Sequence, residues 1–179
     1  MSMQGFALQP FSEASPKSSL KISGQISRIS SRLAIHFILL GHLADVVIPI
    51  PADMPTRKCA LWEETCFEFF IALKGSSRYR EFNLSPAGHW NVFRFAAYRK
   101  GMQEDTAIAS LPFSVLRQAG ALSLSLEIVL DRIHLRDQAL EVGISAVIKH
   151  CDGMMSYWSL SHPGLQADFH HRAGFLIEL

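Results

Sequence analysis

The amino-acid sequence predicts an all-β fold, a two-sheet antiparallel β-sandwich of jelly-roll type. Three observations lead there. Ten or so short runs carry apolar residues at the strand period of two, which a strand buried on one face requires. Gly, Pro, Ser and Asn separate many of them at short intervals, the spacing of hairpins rather than of helical crossovers. Sustained helical periodicity is hard to find, so few helices compete for the chain.

The elements follow in order. Residues 1–18 are expected to be flexible. Leu20–Ile29 and Arg32–Leu40 flank Ser30 and Ser31 as a hairpin, and the second run, apolar on both faces, belongs in a sheet interior. Val46–Ile50 reads as a short strand ended by Pro49 and Pro51, followed by an irregular loop, Ala52–Ala60, that leads to Trp62. Three strands come next, starting at Cys66, Tyr79 and Trp90. Gly75-Ser-Ser and Ser85-Pro-Ala-Gly88 connect them tightly enough to make them antiparallel neighbours. Residues 95–110 lose the alternation and read as an exposed strand followed by a loop. Pro112–Gln118, with Phe113, Leu116 and Arg117 at helical spacing, reads as a helical turn. Ala121–Leu130 alternates most cleanly, with Leu122, Leu124, Leu126, Ile128 and Leu130 inward. Ala139–Ile148 repeats the pattern after the polar loop Asp131–Asp137. Met155–Leu160 and Gly174–Leu179 form a closing pair around HPGLQADFHHR.

A length of 179 residues suits one domain with a large core, and an apolar share of 49% with net charge +1 fits that reading. Lysines and arginines are scattered and no basic stripe lies beside interleaved aromatics, so nucleic acid is not the expected partner. The apolar stretch Leu33–Leu43 is broken by His36 and His42 and is too short to span a bilayer, and the N-terminus lacks a secretory pattern. A cytoplasmic protein with no membrane partner is expected. Cys59, Cys66 and Cys151 are odd in number and lack metal-site spacing, which predicts reduced structural thiols. Nothing in the sequence fixes the oligomeric state.

Strand phase carries the functional reading. Successive side chains point to opposite faces, so Phe67, Phe69 and Ile71 oppose Cys66, Glu68 and Phe70. Phe82 and Leu84 oppose Tyr79, Glu81 and Asn83, and the third strand is phased with Phe93 and Phe95 against Trp90, Val92 and Arg94. On these phases Glu68, Glu81, Asn83, Trp90 and Arg94 converge on one sheet face. Sugar recognition needs a flat ring against the C–H face of a pyranose and polar groups for its hydroxyls. Trp62, Trp90 or Trp158 would supply the first, and Glu68, Glu81, Asn83 and Arg94 the second. The plainer alternative is a cross-strand Glu68–Arg94 ion pair with the tryptophans packed in the core.

The pattern W-x5-E-x-F at Trp62–Phe70, followed by Y-x-x-F-N-x-S-P-x-G at Tyr79–Gly88, resembles the DOMON-like domains related to family-9 carbohydrate-binding modules. The tail Asp168-Phe-His-His171 is similar to that of bacterial DOMON-like proteins. The resemblance implies a β-sandwich whose concave sheet binds a sugar or, in other branches, haem. It also implies a clamp of two tryptophans, with Trp62 and Glu68 matching the first clamp residue and a hydroxyl-binding acid. Trp158 lies where the second clamp residue would be, and Asn83 and Arg94 match polar partners loosely. The chain departs from the secreted modules in showing neither a signal sequence nor an attached catalytic domain.

Three other chemistries compete with non-catalytic saccharide binding. Haem would need axial donors from among His89, His150, His162, Met102, Met154 and Met155, but no CxxCH attachment motif is present. Asp168, His170 and His171, with His162, suggest a metal, yet adjacent histidines on an extended strand point apart. A hydrogen-bonded Asp168–His170 pair anchoring the loop is the better expectation. Glu68 and Glu81 would be the acid and base of a glycoside-cleaving enzyme, although no nucleophile motif accompanies them. The balance favours a saccharide ligand, no cofactor and no metal.

Overall fold

The computed structural model describes residues 2–11 and 19–179. Of the stretch expected to be flexible, residues 1 and 12–18 lie outside the described residues, whereas Ser2–Pro10 forms strand β1. Phe6 and Leu8 account for it, since both are buried in the core.

Among the described residues the strands pair with one another antiparallel throughout. β1, β2 (Lys21–Ile29) and β3 (Arg32–Leu40) run side by side, and β3 also pairs with β9 (Ala121–Val129), which makes it the sheet-interior strand its two apolar faces required. β9 carries β8 (Phe113–Gln118) on its far edge, so the helical turn expected there is a strand. Phe113 and Val115 pack against the core from this strand while Leu116 is exposed, an alternation of two that overrides the apparent helical spacing.

The second half is the meander β4 (Cys66–Leu73), β5 (Tyr79–Leu84) and β6 (Trp90–Phe95), edged by the two-residue β7 (Gln103–Glu104). β10 (Leu140–Lys149) pairs with β4 on one side. Its other side is shared by β11 (Met155–Ser159) and β12 (Ile177–Glu178), which therefore do not pair with each other. The strand expected at 46–50 reduces to a single bridge, Val46 with His150. β1 joins the halves, giving Ser2–Leu8 to β2 and Gln9–Pro10 to β11.

The result is an all-β antiparallel sheet that curls on itself like a half-barrel. Phe37 of β3 meets Phe67 of β4 at a ring-centroid distance of 5.4 Å, although many strands separate them along the sheet. One large core fills the concavity, with Ile26, Leu33 and Leu39 from one half and Phe69, Phe82, Val142 and Ile144 from the other. Each such side chain contributes about 1.5–3 kcal/mol by leaving water. A smaller cluster of Phe70, Ala72, Tyr79, Phe93, Phe95 and Phe175 covers the reverse face of β4–β6. Among the described residues, helical structure is limited to short 3₁₀ turns, and no helix is long and apolar enough to cross a membrane.

Candidate functional site

The reverse face of β4, β5 and β10 is where the chemistry collects. Glu68 stands opposite Asn83 on β5 and opposite Ser145 on β10, and Glu81 lies one pleat further along the same face. The loop after Ser159 returns across this face, and it is pinned there by Asp168. That carboxylate accepts from the Tyr98 hydroxyl and pairs with the Arg99 guanidinium at 2.7 Å. Burial raises the Asp168 pKa, but these two partners outweigh it and leave it below the usual value. Between sheet and loop lies a cavity of about 400 Å³, lined by Glu68, Glu81, Val147 and Tyr157 from the strands and by Phe169 and His170 from the loop.

Trp62 forms the rim. Ala60 adopts a left-handed backbone at φ 56°, and the 3₁₀ turn Leu61–Glu63 follows. Leu61 is buried, which anchors the turn, while Trp62 stays 36% exposed with its ring edge-on to Phe93 at 5.8 Å. Phe95, Arg99, Met102 and Ala167 complete the wall.

The carboxylates are sparsely satisfied. Glu68 is 3% exposed; the Ser145 hydroxyl donates to its Oε2 at 3.4 Å, and Oε1 has no hydrogen-bond partner among the described residues. Burial, reinforced by the neighbouring Glu81 charge, pushes the Glu68 pKa well above the carboxylate range. Glu81 is raised by burial too, with the amide of Asn83 donating to its Oε1 at 2.8 Å and the Arg99 charge pulling the other way.

His170 closes the chain of contacts. Its Nε2 is 3.6 Å from Glu81 Oε2 and its Nδ1 is 2.8 Å from the Tyr79 hydroxyl, which already accepts from the Arg99 backbone N–H at 3.1 Å. Tyr79 keeps its own proton bonded when it donates to Nδ1, which leaves the Nε2–H facing Glu81. Burial and then the Arg99 charge push the His170 pKa down to about 4, against a raising effect of Asp168, so the ring is neutral at pH 7.

This sets a pH dependence. Because the folded pKa lies below the ordinary 6.5, the unfolded chain takes up the proton first as pH falls. The stability from neutral His170 is complete above about pH 6.5 and is lost on descending to about 4, on the order of 3 kcal/mol. Glu68 and Glu81, raised in the fold, work in the opposite sense: their contribution grows as pH falls towards the unfolded carboxylate value. Melting temperatures of wild type and His170→Gln between pH 7 and 4 separate the two. The wild type is expected to lose its advantage over the variant across that window, and a constant difference would disprove the His170 assignment.

Of the residues singled out by sequence, Trp62, Glu68 and Glu81 line this cavity and Asn83 supports Glu81 from behind. Trp90 and Arg94 do not join them. The β5–β6 register sets Phe93 opposite Glu81 and Trp90 opposite Leu84, so the phase expected for β6 is reversed. Trp90 packs in the main core beneath the Arg57 guanidinium, 4.4 Å from its ring centroid. Arg94 is exposed and donates to the Gln103 side chain at 3.0 Å, with no pair to Glu68. Trp158 is also in the main core, 5% exposed, its indole N–H donating to Ser156 at 3.0 Å. The ring that reaches the cavity from β11 is its neighbour Tyr157.

Asp168 and His170 are not a side-chain pair either: Asp168 accepts from the His170 backbone N–H at 3.1 Å while the imidazole turns to Tyr79. No group of three or more His, Cys, Asp or Glu among the described residues is placed to hold a metal ion. Of the haem-donor candidates, Met102 borders the cavity. Cys59, Cys66 and Cys151 are free.

No protein-family model matches the chain, and no curated protein matches it significantly. Solved structures do. A family-9 carbohydrate-binding module from Caldicellulosiruptor kristjanssonii, in complex with cellotriose, aligns with a TM-score of 0.49 at 9% identity, over 82% of this chain and 68% of that one. A "putative carbohydrate-binding protein" from Bacteroides uniformis ATCC 8492 aligns with a TM-score of 0.67 at 14% identity, over 96% of this chain and 84% of that one. The second likeness, nearly chain-long, is one of fold.

Proposed function

We propose that this protein binds a small saccharide, without transforming it, in the cavity between the β4–β5–β10 face and the loop that carries Phe169 and His170. The observation that carries the reading is the pairing of two buried carboxylates with an aromatic rim in one space. Carboxylate oxygens with unfilled acceptor capacity suit sugar hydroxyls, and the faces of Trp62, Tyr157 and Phe169 suit the apolar side of a pyranose. About 400 Å³ is room for one or two sugar rings. The fold neighbour from Bacteroides uniformis bears a carbohydrate-binding name, in keeping with this reading. Kinship with DOMON-like domains, the two-layer jelly-roll description and a cytoplasmic setting belong to the same proposal.

Trp62→Ala tests it. Titration with a panel of mono- and disaccharides is expected to change the tryptophan emission of the wild type, since Trp62 is the solvent-exposed indole of the three. The variant should bind at least about tenfold more weakly, the loss of about 1.4 kcal/mol. Its melting temperature should stay within a few degrees, because a half-exposed rim residue contributes about 1 kcal/mol or less to folding. Unchanged affinity in Trp62→Ala would remove the platform from the proposal. Turnover of chromogenic glycosides by the wild type would replace binding with catalysis.

A further inference from the structure

A neutral sugar answers the hydroxyl acceptors of the cavity but not its charge. Glu68 and Glu81 stand on neighbouring strands, both almost wholly buried, facing the same space. The groups around them are nearly all neutral. His170 is an uncharged imidazole, Tyr79 and Tyr157 are phenols, Asn83 and Ser145 are uncharged donors, and the Cys66 thiol is buried on the same strand face as Glu68. Arg99, the cation of the lining, is already held by Asp168. Among the described residues neither carboxylate has a Lys or Arg partner at ion-pair distance.

Burying a carboxylate without a counter-ion is costly, and a strand between two apolar layers loses nothing by carrying Leu or Val instead. Glu68 Oε1, buried, unpartnered and belonging to a residue that lines the cavity, is the atom left waiting. Trp62, Phe95, Tyr157 and Phe169 line the same cavity, and aromatic faces attract cations. Acids and π-faces without a free cation form a receptor for an ammonium group.

We infer that the saccharide is an amino sugar, its protonated amine held by the Glu68–Glu81 pair. This rests on the saccharide-binding reading above. The amine N–H groups donate to Glu68 Oε1 and to Glu81, while the aromatic walls cover the ring carbons. Burial raises both carboxyl pKa values, and the Glu81 charge adds to this at Glu68, so protons compete with ammonium for the pair: when the ammonium sugar enters the singly protonated pair, the second carboxylate ionises and one proton leaves to solvent. Affinity therefore rises with pH as the pair ionises and falls again once the amine itself loses its proton.

Calorimetric titration of the full chain against glucosamine, galactosamine and mannosamine, each beside its N-acetyl form and its parent hexose, tests the inference, with ethanolamine as an amine without a ring. One amino sugar is expected to bind at least about tenfold more tightly than both neutral counterparts. About one proton should be released, read from how the heat varies with the buffer's ionisation enthalpy. In Glu68→Gln, a near-isosteric change whose folding is checked by its melt, the preference should fall to about twofold or less. Equal or tighter binding of a neutral sugar overturns the charge assignment and leaves the saccharide reading standing. Ethanolamine binding as tightly as the best amino sugar, or no binding by any probe, overturns both.

Discussion

Replacing Phe69 by Ala is expected to lower the folding free energy by about 3–5 kcal/mol, the range for a large buried aromatic whose cavity cannot collapse. Phe69 is fully buried, stacked on Phe82 at 4.3 Å with the rings 11° apart, and set opposite Ile144 on β10. Its neighbours are held by paired strands on both sides, so little can move in to fill the space. Against a typical total of about 5–15 kcal/mol this is a large fraction. Urea denaturation should show a lower midpoint with an unchanged slope, and Phe69→Leu should lose much less. A deficit under about 1 kcal/mol would mean that β4 does not turn this face to the core. Saccharide affinity should change little in the fraction that remains folded, because Phe69 and Glu68 point to opposite faces of the strand.

Gly143→Val is expected to separate the sheet from the segment that covers it. A Cβ at Gly143 would lie 2.7 Å from Cδ1 and 3.0 Å from Cε1 of Phe175, whose ring fills the space left by the missing side chain. Phe175 in turn packs against Phe70 and Tyr79, with the Arg172 guanidinium 4.9 Å from its ring centroid. Displacing it should cost about 3 kcal/mol, at the upper end for overpacking a closed site. Five residues upstream, His170 lines the cavity, so saccharide affinity should fall about tenfold or more along with the melting temperature. Proteolysis would locate the damage: cleavage within residues 161–176 should accelerate while the β-core resists. Equal protection of that segment in variant and wild type would show that Phe175 does not hold it down.

The sequence made most of the fold legible because most strands bury one face on a single core. β9 and β10 alternate without ambiguity, and Glu68 stands out as the charge inside the otherwise apolar run CFEFFIAL. β6 misled for a definite reason: in WNVFRF both faces carry large apolar side chains that are buried, Trp90 and Val92 in the main core and Phe93 and Phe95 in the smaller cluster. Alternation assigns phase only when one side is wet, so the register with β5 had to decide. Tyr157 and Trp158 posed the same problem, two adjacent aromatics of which one must face each way. The far wall of the cavity was less legible still. HPGLQADFHHR has no periodicity, and the anchoring of Asp168 by Tyr98 and Arg99 joins residues about 70 apart, which no local pattern announces. β1 escaped notice because Phe6 and Leu8 alone mark its buried side.

The position of β1 bears on how the protein is made. The last two residues of this strand pair with Ser159 and Trp158, made some 150 residues later. β4 likewise waits for β10. On the ribosome the β1–β2–β3 strands are therefore left with a raw flank until β11 emerges. A stalled or truncated nascent chain ending short of residue 159 should be the species that chaperones hold and proteases find.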